Sequence, residues 1–323
     1  MGNSPENKLV AVKMVEIDVS QAGQRIDNFL LARLKGAPKS LIYRILRKGE
    51  VRVNKGRIKP TYRLQAGDLV RIPPVRLSES VPVKPHERVL QQIEESILFE
   101  DKRLLILNKP SGIAVHGGSG LSYGIIEAFR ALRPDVLYLE LVHRLDRETS
   151  GCLIIAKKRS ALRTLHELIR QNQVDKYYLT LVKNDWGGGD RVIDAPLRKN
   201  TLKSGERMVI ISPDGKPARS LFQPLTCSEQ ASLMQVKLDT GRTHQIRVHA
   251  TSTGHPIAGD DKYGDENFNK LLRAQGLKRL FLHAVKLEFE ISDDGPKITV
   301  TAPLPSDLSQ LLKKLDMRYK LAT

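Results

Sequence analysis

Three short segments of this 323-residue chain set charged and polar residues between apolar ones. The first is Leu141-Val142-His143-Arg144-Leu145-Asp146-Arg147-Glu148-Thr149-Ser150-Gly151. The second is Lys176-Tyr177-Tyr178, and the third is Thr240-Gly241-Arg242-Thr243-His244-Gln245-Ile246-Arg247-Val248-His249. Asp146 lies between Arg144 and Arg147, just ahead of a Thr-Ser-Gly turn. Flanking guanidiniums favour the ionised carboxylate, the form that a nucleophile or a base needs. The plainer alternative is a structural Asp that caps the turn at Thr149–Gly151. Two features favour chemistry. The stretch carries more charge than a capped turn requires, and a second Arg-rich segment follows about 100 residues later.

In that second segment Thr243 is expected to cap a helix starting near His244. The helix buries Ile246 and Ala250 and projects Arg247 from its first turn, unless Arg247 is an ordinary exposed helix residue. His244 and His249 are five apart, which does not put two metal ligands on one helix face as an i, i+4 pair would. Other chemistries fail specific tests. His143-Arg144-Leu145-Asp146 has no accompanying kinase motifs. Gly117-Gly118-Ser119-Gly120 lacks the Gly-Lys-Ser/Thr of a phosphate-binding loop and is no serine-hydrolase elbow. No dinucleotide fingerprint is present. No cofactor and no metal are expected.

The elements that must position these residues follow from apolar spacing. Residues 104–107, 152–156, 178–182 and 232–238 read as strands. Residues 123–132, 160–171 and 308–315 read as helices. Residues 281–289 alternate like a strand with one wet face. An earlier, smaller unit starts near residue 16. Its first helix carries Ile26, Phe29, Leu30 and Leu34 and is broken by Gly36 and Pro38. Ser40 is expected to cap a second helix over 41–48, which buries Leu41, Ile45 and Leu46. Gly49 ends it in the left-handed conformation. Strands at 51–54 and 69–72 are joined through the turns Asn54-Lys55-Gly56 and Gly67-Asp68.

Charge singles out this smaller unit. The chain carries 53 Lys and Arg against 36 Asp and Glu, a net +17. Residues 23–76 hold 14 basic and 3 acidic residues, and between Lys39 and Arg63 nine basic residues face only Glu50. A solvated surface mixes signs, so a polyanionic partner is the better explanation. No apolar run approaches the ~18 residues of a membrane span. The start of the chain lacks the pattern of a secretory signal. Two cysteines cannot build a disulfide framework, which fits a reducing cytoplasm.

The basic unit resembles the S4-type RNA-binding domain in the order Arg25-Ile26-Asp27, Lys39-Ser40, Gly49-x-Val51-x-Val53-Asn54, Lys59-Pro60, Gly67-Asp68. That resemblance implies structured RNA, contacted by Lys39, Tyr43, Arg44, Arg47, Lys48, Arg52, Lys55, Arg57 and Lys59. Arg25 and Asp27 are weaker candidates that can equally pair and hold their helix. The rest of the chain resembles the RluA family of pseudouridine synthases. The motifs run in order through Asn108-Lys109-Pro110-x-Gly112, Val115-His116, the Asp146 and Lys176-x-Tyr178 segments, the Arg247 segment and Gly254-His255-Pro256-Ile257-x-Gly259-Asp260. Leu280-Phe281-Leu282-His283-Ala284 also reads as a family segment.

The resemblance implies an α+β chain. Its catalytic fold is a mixed, largely antiparallel sheet with flanking helices, and a small N-terminal S4-like α/β RNA-binding domain is added. The expected organisation is a flexible leader at 1–15, the S4-like domain at 16–76, a linker with a short helix at 77–96 and the catalytic domain at 97–323. The implied reaction isomerises uridine in RNA, with 23S ribosomal RNA or a large-subunit precursor as partner. Asp146 would be the essential carboxylate, with attack on the sugar, attack on the base and removal of a sugar proton all open to it. Arg247 would be its basic partner, and Tyr178 the aromatic that packs on the target base, its hydroxyl able to assist proton removal at C5. Arg144 would enter the space left by the extruded nucleotide, and Arg242, His244 and Gln245 would contact the RNA. A monomer is expected. The competing readings are a non-catalytic ribosome assembly factor, a paralogue acting on other 23S uridines and a uridine glycosylase. Where the family often has Ala two residues after the Tyr, this chain has Thr180, whose hydroxyl can bond the backbone with little effect.

Overall fold

The computed structural model describes residues 12–19, 21–34, 37–75, 85–117, 123–201, 206–291 and 295–322, with the backbone alone at Lys39 and Arg207. The polar start of the chain, the expected breaker Gly36, the linker residues 77–84 and the glycine loop beyond Gly117 lie outside the described residues. The chain divides into two compact units, Met1–Pro82 and Val83–Thr323.

The smaller unit contains β1 (Lys13–Glu16), α1 (Ile26–Arg33), α2 (Lys39–Arg47), β2 (Arg52–Val53) and β3 (Leu69–Ile72). The strands form an antiparallel sheet in the order β1-β3-β2. β1 corrects the expected leader. Lys13–Glu16 pairs along all of β3, from Lys13↔Ile72 to Glu16↔Leu69. Ile26, Phe29, Leu30, Ile42, Ile45 and Leu46 of the two helices close the core on Val53, Val70 and Ile72. α2 starts two residues earlier than expected. Pro38 is its N-cap, and no side chain, Ser40 included, caps it. Proline's fixed φ near −65° suits that position. Gly49, at φ +70°, ends the helix as expected, and Asn54 and Lys55, at φ 50° and 68°, make the tight turn that the sequence suggests.

The larger unit begins with α3 (Glu87–Glu95), the short helix expected within the linker segment. Its Ile93 is buried in the main core, with Val89 and Leu90 packed alongside. There follow β4 (Ile97–Glu100), β5 (Leu104–Lys109), α4 (Ile125–Leu132), β6 (Glu140–Leu141), β7 (Ser150–Ala156), α5 (Arg159–Arg170) and β8 (Val174–Lys183). Then come β9 (Arg191–Asp194), β10 (Leu197–Thr201), β11 (Arg207–Ile211), β12 (Arg219–Cys227), β13 (Ala231–Leu238), α6 (Gln245–Ser252) and α7 (Glu266–Ala274). β14 (Leu282–Phe289), β15 (Ile298–Thr301) and α8 (Ser306–Lys314) complete the unit. Among the described residues no helix is long and apolar enough to cross a membrane.

Ten strands form one sheet in the order β4-β5-β7-β14-β8-β13-β12-β9, with β6 on β7 and β15 on β14. Only β7 and β14 pair in parallel. β14 sits at the middle, and its first half is buried on both faces, so only Lys286 and Glu288 keep part of the expected wet face. Both faces are covered because α3, α4 and α6 contribute Ile93, Phe129 and Ile246 to the main core, while α7 and α8 pack Phe268, Leu272, Leu308 and Leu311 against Leu181, Leu233 and Phe281. Thr180 points into this interior, and its hydroxyl donates to the Phe281 carbonyl at 2.9 Å, as its sequence position suggests.

This topology assembles the three polar segments. Ala284 of β14 is flanked by Gly151 of β7 on one side and Tyr178 of β8 on the other. Tyr178 is in turn registered with Val236 near the end of β13. The loop entering β7 therefore comes over Tyr178, and the helix that follows β13 comes from the next strand. Gly151 marks the tightest point. It has φ +108°, and a Cβ there would stand 2.2 Å from the Ala284 carbonyl oxygen.

Candidate active site

The Asp146 loop is tied down by main-chain bonds rather than by its charges. Lys109 is fully buried, and its ammonium donates to the carbonyls of Pro110, Ile113 and Arg147 at 2.8, 2.8 and 3.0 Å. Burial pulls Lys109 down to about 7, yet three acceptors call for the three N–H bonds that only the ammonium has. The Ser111 hydroxyl donates to the Glu148 carbonyl, and His143 Nε2 accepts from the Ile154 amide of β7. The Asn-Lys-Pro-x-Gly segment is thus the seat of the loop. At the expected turn it is the Asp146 carbonyl, not its carboxylate, that accepts from the Thr149 amide.

The expected neighbours of the Asp146 carboxylate are corrected. Arg147 turns outward and pairs with Glu148 at 3.0 Å, and among the described residues Arg144 makes no ion pair and is exposed. The guanidinium beside Asp146 belongs to Arg247, whose Nη1 stands 3.6 Å from Oδ2. His244 Nε2 is 3.8 Å from the same oxygen. Arg247 projects from the first turn of α6, as expected, but it is far from an exposed helix residue. Its Nε and Nη2 donate to the two oxygens of Asp260, both at 2.7 Å, and its guanidinium lies 5.0 Å over the Tyr263 ring. Asp260 is buried, and its Oδ1 also accepts from the amides of Lys262 and Tyr263. Burial alone would raise the Asp260 carboxyl. The Arg247 hydrogen bonds and charge, with the two amides, outweigh it and hold the group below the usual range.

His244, not Thr243, occupies the N-cap of α6, in the left-handed conformation at φ 54°, and no side chain caps the helix. Gln245 departs from its expected role. It is buried, its Oε1 accepts from the Thr240 hydroxyl and the Arg242 amide, and its Nε2 donates to the Arg219 carbonyl and the Ser220 hydroxyl. An amide with all its bonds inside the protein has none left for RNA. Gln245 shapes the Gly241–Thr243 loop instead.

Tyr178 lines the cleft formed by Arg144, Asp146, Arg242, His244 and Arg247. Burial, with the nearby Asp146 charge, raises its hydroxyl above the ordinary tyrosine value. Lys176 of the same segment is buried and does not reach the cleft. The cleft holds about 80 Å³. Through Gly241 and Arg242 it adjoins a groove of about 490 Å³, whose other wall is β10, β11 and residues 214–216. Arg198, Lys199, Lys216 and Arg242 line that groove and are exposed. Asp260 enters the sequence reading only within a motif, and Tyr263, Arg198, Lys199 and Lys216 are not singled out by it. The Gly259-Asp260 motif was the available signal for the first two, and nothing local marked the others.

In the smaller unit Tyr43, Arg44, Arg47, Lys48, Arg52, Lys55, Arg57 and Lys59 are all exposed. Among the described residues none of these seven cations is in an ion pair, which leaves their charge for an external anion. The side chain of Lys39 lies outside the described residues. Arg25 and Asp27 pair at 2.6 Å, the internal option foreseen for them. The Tyr43 hydroxyl donates to Asp27, so its ring rather than its hydroxyl remains for a partner.

Comparison with known proteins agrees with both halves. A family model for RNA pseudouridylate synthases matches residues 103–252, and one for the S4 domain matches residues 24–70. The "Ribosomal large subunit pseudouridine synthase C" of Pasteurella multocida (strain Pm70) is 57% identical over 319 residues, covering 98% of each chain. The protein of the same name from Escherichia coli (strain K12) is 55% identical over 309 residues, 94% of this chain and 97% of that one. Among solved structures, "Human RNA Pseudouridylate Synthase Domain Containing 4" superposes with a TM-score of 0.60 at 25% identity, covering 73% of this chain and 98% of that chain. With the ordered motifs, the central sheet and near-full-length relatives in agreement, the chain belongs to the RNA pseudouridine synthases, the enzymes that isomerise uridine within RNA, and carries an S4 domain.

Proposed function

We propose that this enzyme isomerises specific uridines of 23S ribosomal RNA, as a monomer in the cytoplasm, with Asp146 as the essential carboxylate. The observation that carries this reading is that, among the described residues, Asp146 is the only carboxylate lining the cleft, with Tyr178, His244 and Arg247. The relatives named for the ribosomal large subunit support the choice of RNA. In the reaction the bond from N1 to C1′ breaks, the uracil turns, and C5 bonds to C1′. A proton leaves C5, and N1 gains one.

A base cannot turn inside a stack, so the uridine is extruded at a cost of a few kcal/mol. Packing on the Tyr178 ring returns about 1–3 kcal/mol. Exposed Arg144 fills the gap in the helix. Burial keeps the Tyr178 hydroxyl protonated, so it donates a hydrogen bond, and the C5 proton falls to the carboxylate. A nucleoside needs more than the cleft's 80 Å³. The base enters the cleft, and the flanking backbone follows the groove of Arg198, Lys199, Lys216 and Arg242. The basic face of the S4 domain, with Arg44, Arg47, Lys48, Arg52, Lys55, Arg57 and Lys59, supplies the second anchor that a small site requires. Lys39 and Tyr43 complete it.

The test is tritium release to water from 23S RNA transcribed with uridine tritiated at C5. Release by the wild type and none by Asp146→Asn, with RNA affinity kept within a few fold, supports the reading. Turnover by purified Asp146→Ala refutes the role of Asp146. Free uracil in the products would indicate a glycosylase. Tight binding without release from the transcript or from a precursor particle would indicate an assembly factor.

A further inference from the structure

The two groups that face Asp146 share one support, and that support is Tyr263. The Tyr263 hydroxyl accepts from the Val209 amide at 2.9 Å and lies 2.8 Å from His244 Nδ1. Its ring meets the imidazole edge-on, 5.5 Å between centroids, and its face carries the Arg247 guanidinium. With one lone pair of the phenol oxygen taken by Val209, its hydrogen can point at Nδ1, leaving the imidazole hydrogen on Nε2, or its second lone pair can accept from Nδ1–H. The other end of the ring decides between the two. Nε2 faces the Asp146 carboxylate, where a lone pair would be repelled and an N–H attracted. The left-handed backbone at His244 is the sort of unusual conformation a non-glycine residue keeps for a purpose.

We propose that Tyr263 and His244 are positioning residues. Tyr263 places the hydrogen on His244 Nε2, so that His244 and Arg247 together hold Oδ2 of Asp146 and leave Oδ1 to act on the uridine. The same hydroxyl also accepts from the Val209 amide, but the β10–β11 ladder holds that strand without it. The assignment rests on Asp146 being the reacting group.

Tyr263→Phe tests it, because it removes the hydroxyl and keeps the ring beneath Arg247. Single-turnover tritium release should fall roughly tenfold, with RNA Kd unchanged. His244→Gln, whose amide can put an N–H where Nε2 stands, should retain most of the rate. His244→Asn, too short to do so, should match Tyr263→Phe. In protein labelled with ¹⁵N-histidine, His244 should carry its hydrogen on Nε2 in the wild type and lose that preference in Tyr263→Phe. An undiminished rate in Tyr263→Phe, a change in Kd alone, or a wild-type hydrogen on Nδ1 would overturn the proposal. Absence of turnover by the wild type on any RNA would instead overturn the enzymatic reading, and the tautomer measurement would still decide the hydrogen-bonded arrangement.

Discussion

Replacing Asp260 by Asn probes the arrangement behind the Asp146 carboxylate while keeping the side chain's shape. The carboxylate accepts four hydrogen bonds within 3.0 Å, two from Arg247 and one each from the Lys262 and Tyr263 amides. An Asn that keeps its oxygen at the Oδ1 position preserves both amide bonds and Arg247 Nη2, but it turns an NH₂ towards Arg247 Nε–H. One bond is lost, two donors meet, and a buried guanidinium loses its counter-charge. Removing one partner of a buried pair costs about 3–5 kcal/mol. At about 2–4 °C per kcal/mol for a unit of this size, the melting transition of residues 83–323 should fall by about 6–20 °C. Arg247 is then left with Asp146 as its only carboxylate and closes on it from 3.6 Å. If half of the smaller cost is felt at the transition state, single-turnover tritium release falls at least about tenfold. A melting point within about 2 °C of wild type together with an unchanged rate would refute the reasoning, because the hydrogen bonds would then not hold Arg247.

Further outcomes follow from other parts of the molecule. Replacing Arg44, Arg47, Lys48 and Arg57 together by Ala should reduce the slope of log Kd against log salt by about three, at roughly 0.7–0.9 per phosphate contact; an unchanged slope would exclude these residues as phosphate contacts. Gly151→Ala should prevent folding of the larger unit or leave it insoluble, since the new methyl would stand 2.2 Å from the Ala284 carbonyl oxygen; recovery of soluble protein with wild-type melting would contradict this packing. Burial holds His143 and His283 neutral, down at about 4. The unfolded chain takes up these protons from about pH 6.5 downwards, so the stability from these groups is complete above that value and is lost as pH falls towards 4, by at most about 3 kcal/mol each. Melting points measured between pH 7.5 and 4.5 should fall accordingly, and a flat profile would contradict the burial of both rings.

What the sequence makes legible is whatever neighbours in the chain decide. The turn at Asn54 and Lys55, the end of α2 at Gly49 and the strands at 104–107 and 69–72 depend on nearby residues, and the expectations for them hold. β1 escapes notice because Lys13–Glu16 is a four-residue edge strand with too little alternation to stand out, and β3 supplies the reason it is extended. The capping roles expected of Ser40 and Thr243 fail for a related reason. A hydroxyl near a helix start is a common signal, but Pro38 and a left-handed His244 already set the chain's direction there. Gln245 shows a limit of another kind. A polar side chain in a functional motif looks available until all its donors and acceptors are seen to be used within the protein. The basic groove depends on β10 and β11 facing a loop that follows 30 residues later, and no local pattern encodes that.

The bidentate pairing of Arg247 with Asp260, beyond its single contact with Asp146, is the feature most hidden from sequence, and it bears directly on the cleft. The family resemblance gives Arg247 one purpose, to pair with Asp146. A guanidinium fork closed on that carboxylate at 2.7 Å would engage both of its oxygens, and those charge-assisted bonds would have to break before either oxygen met a uridine. The structure divides the task. Asp260, buried and unable to reach the cleft, takes the fork and fixes the plane of the guanidinium. Only the remaining Nη1 faces Asp146, at a longer 3.6 Å and on one oxygen. The positive charge thus stays beside the Asp146 carboxylate, while no guanidinium fork closes on it. An Arg that served Asp146 alone could supply the charge or the freedom, and the second carboxylate is what allows both.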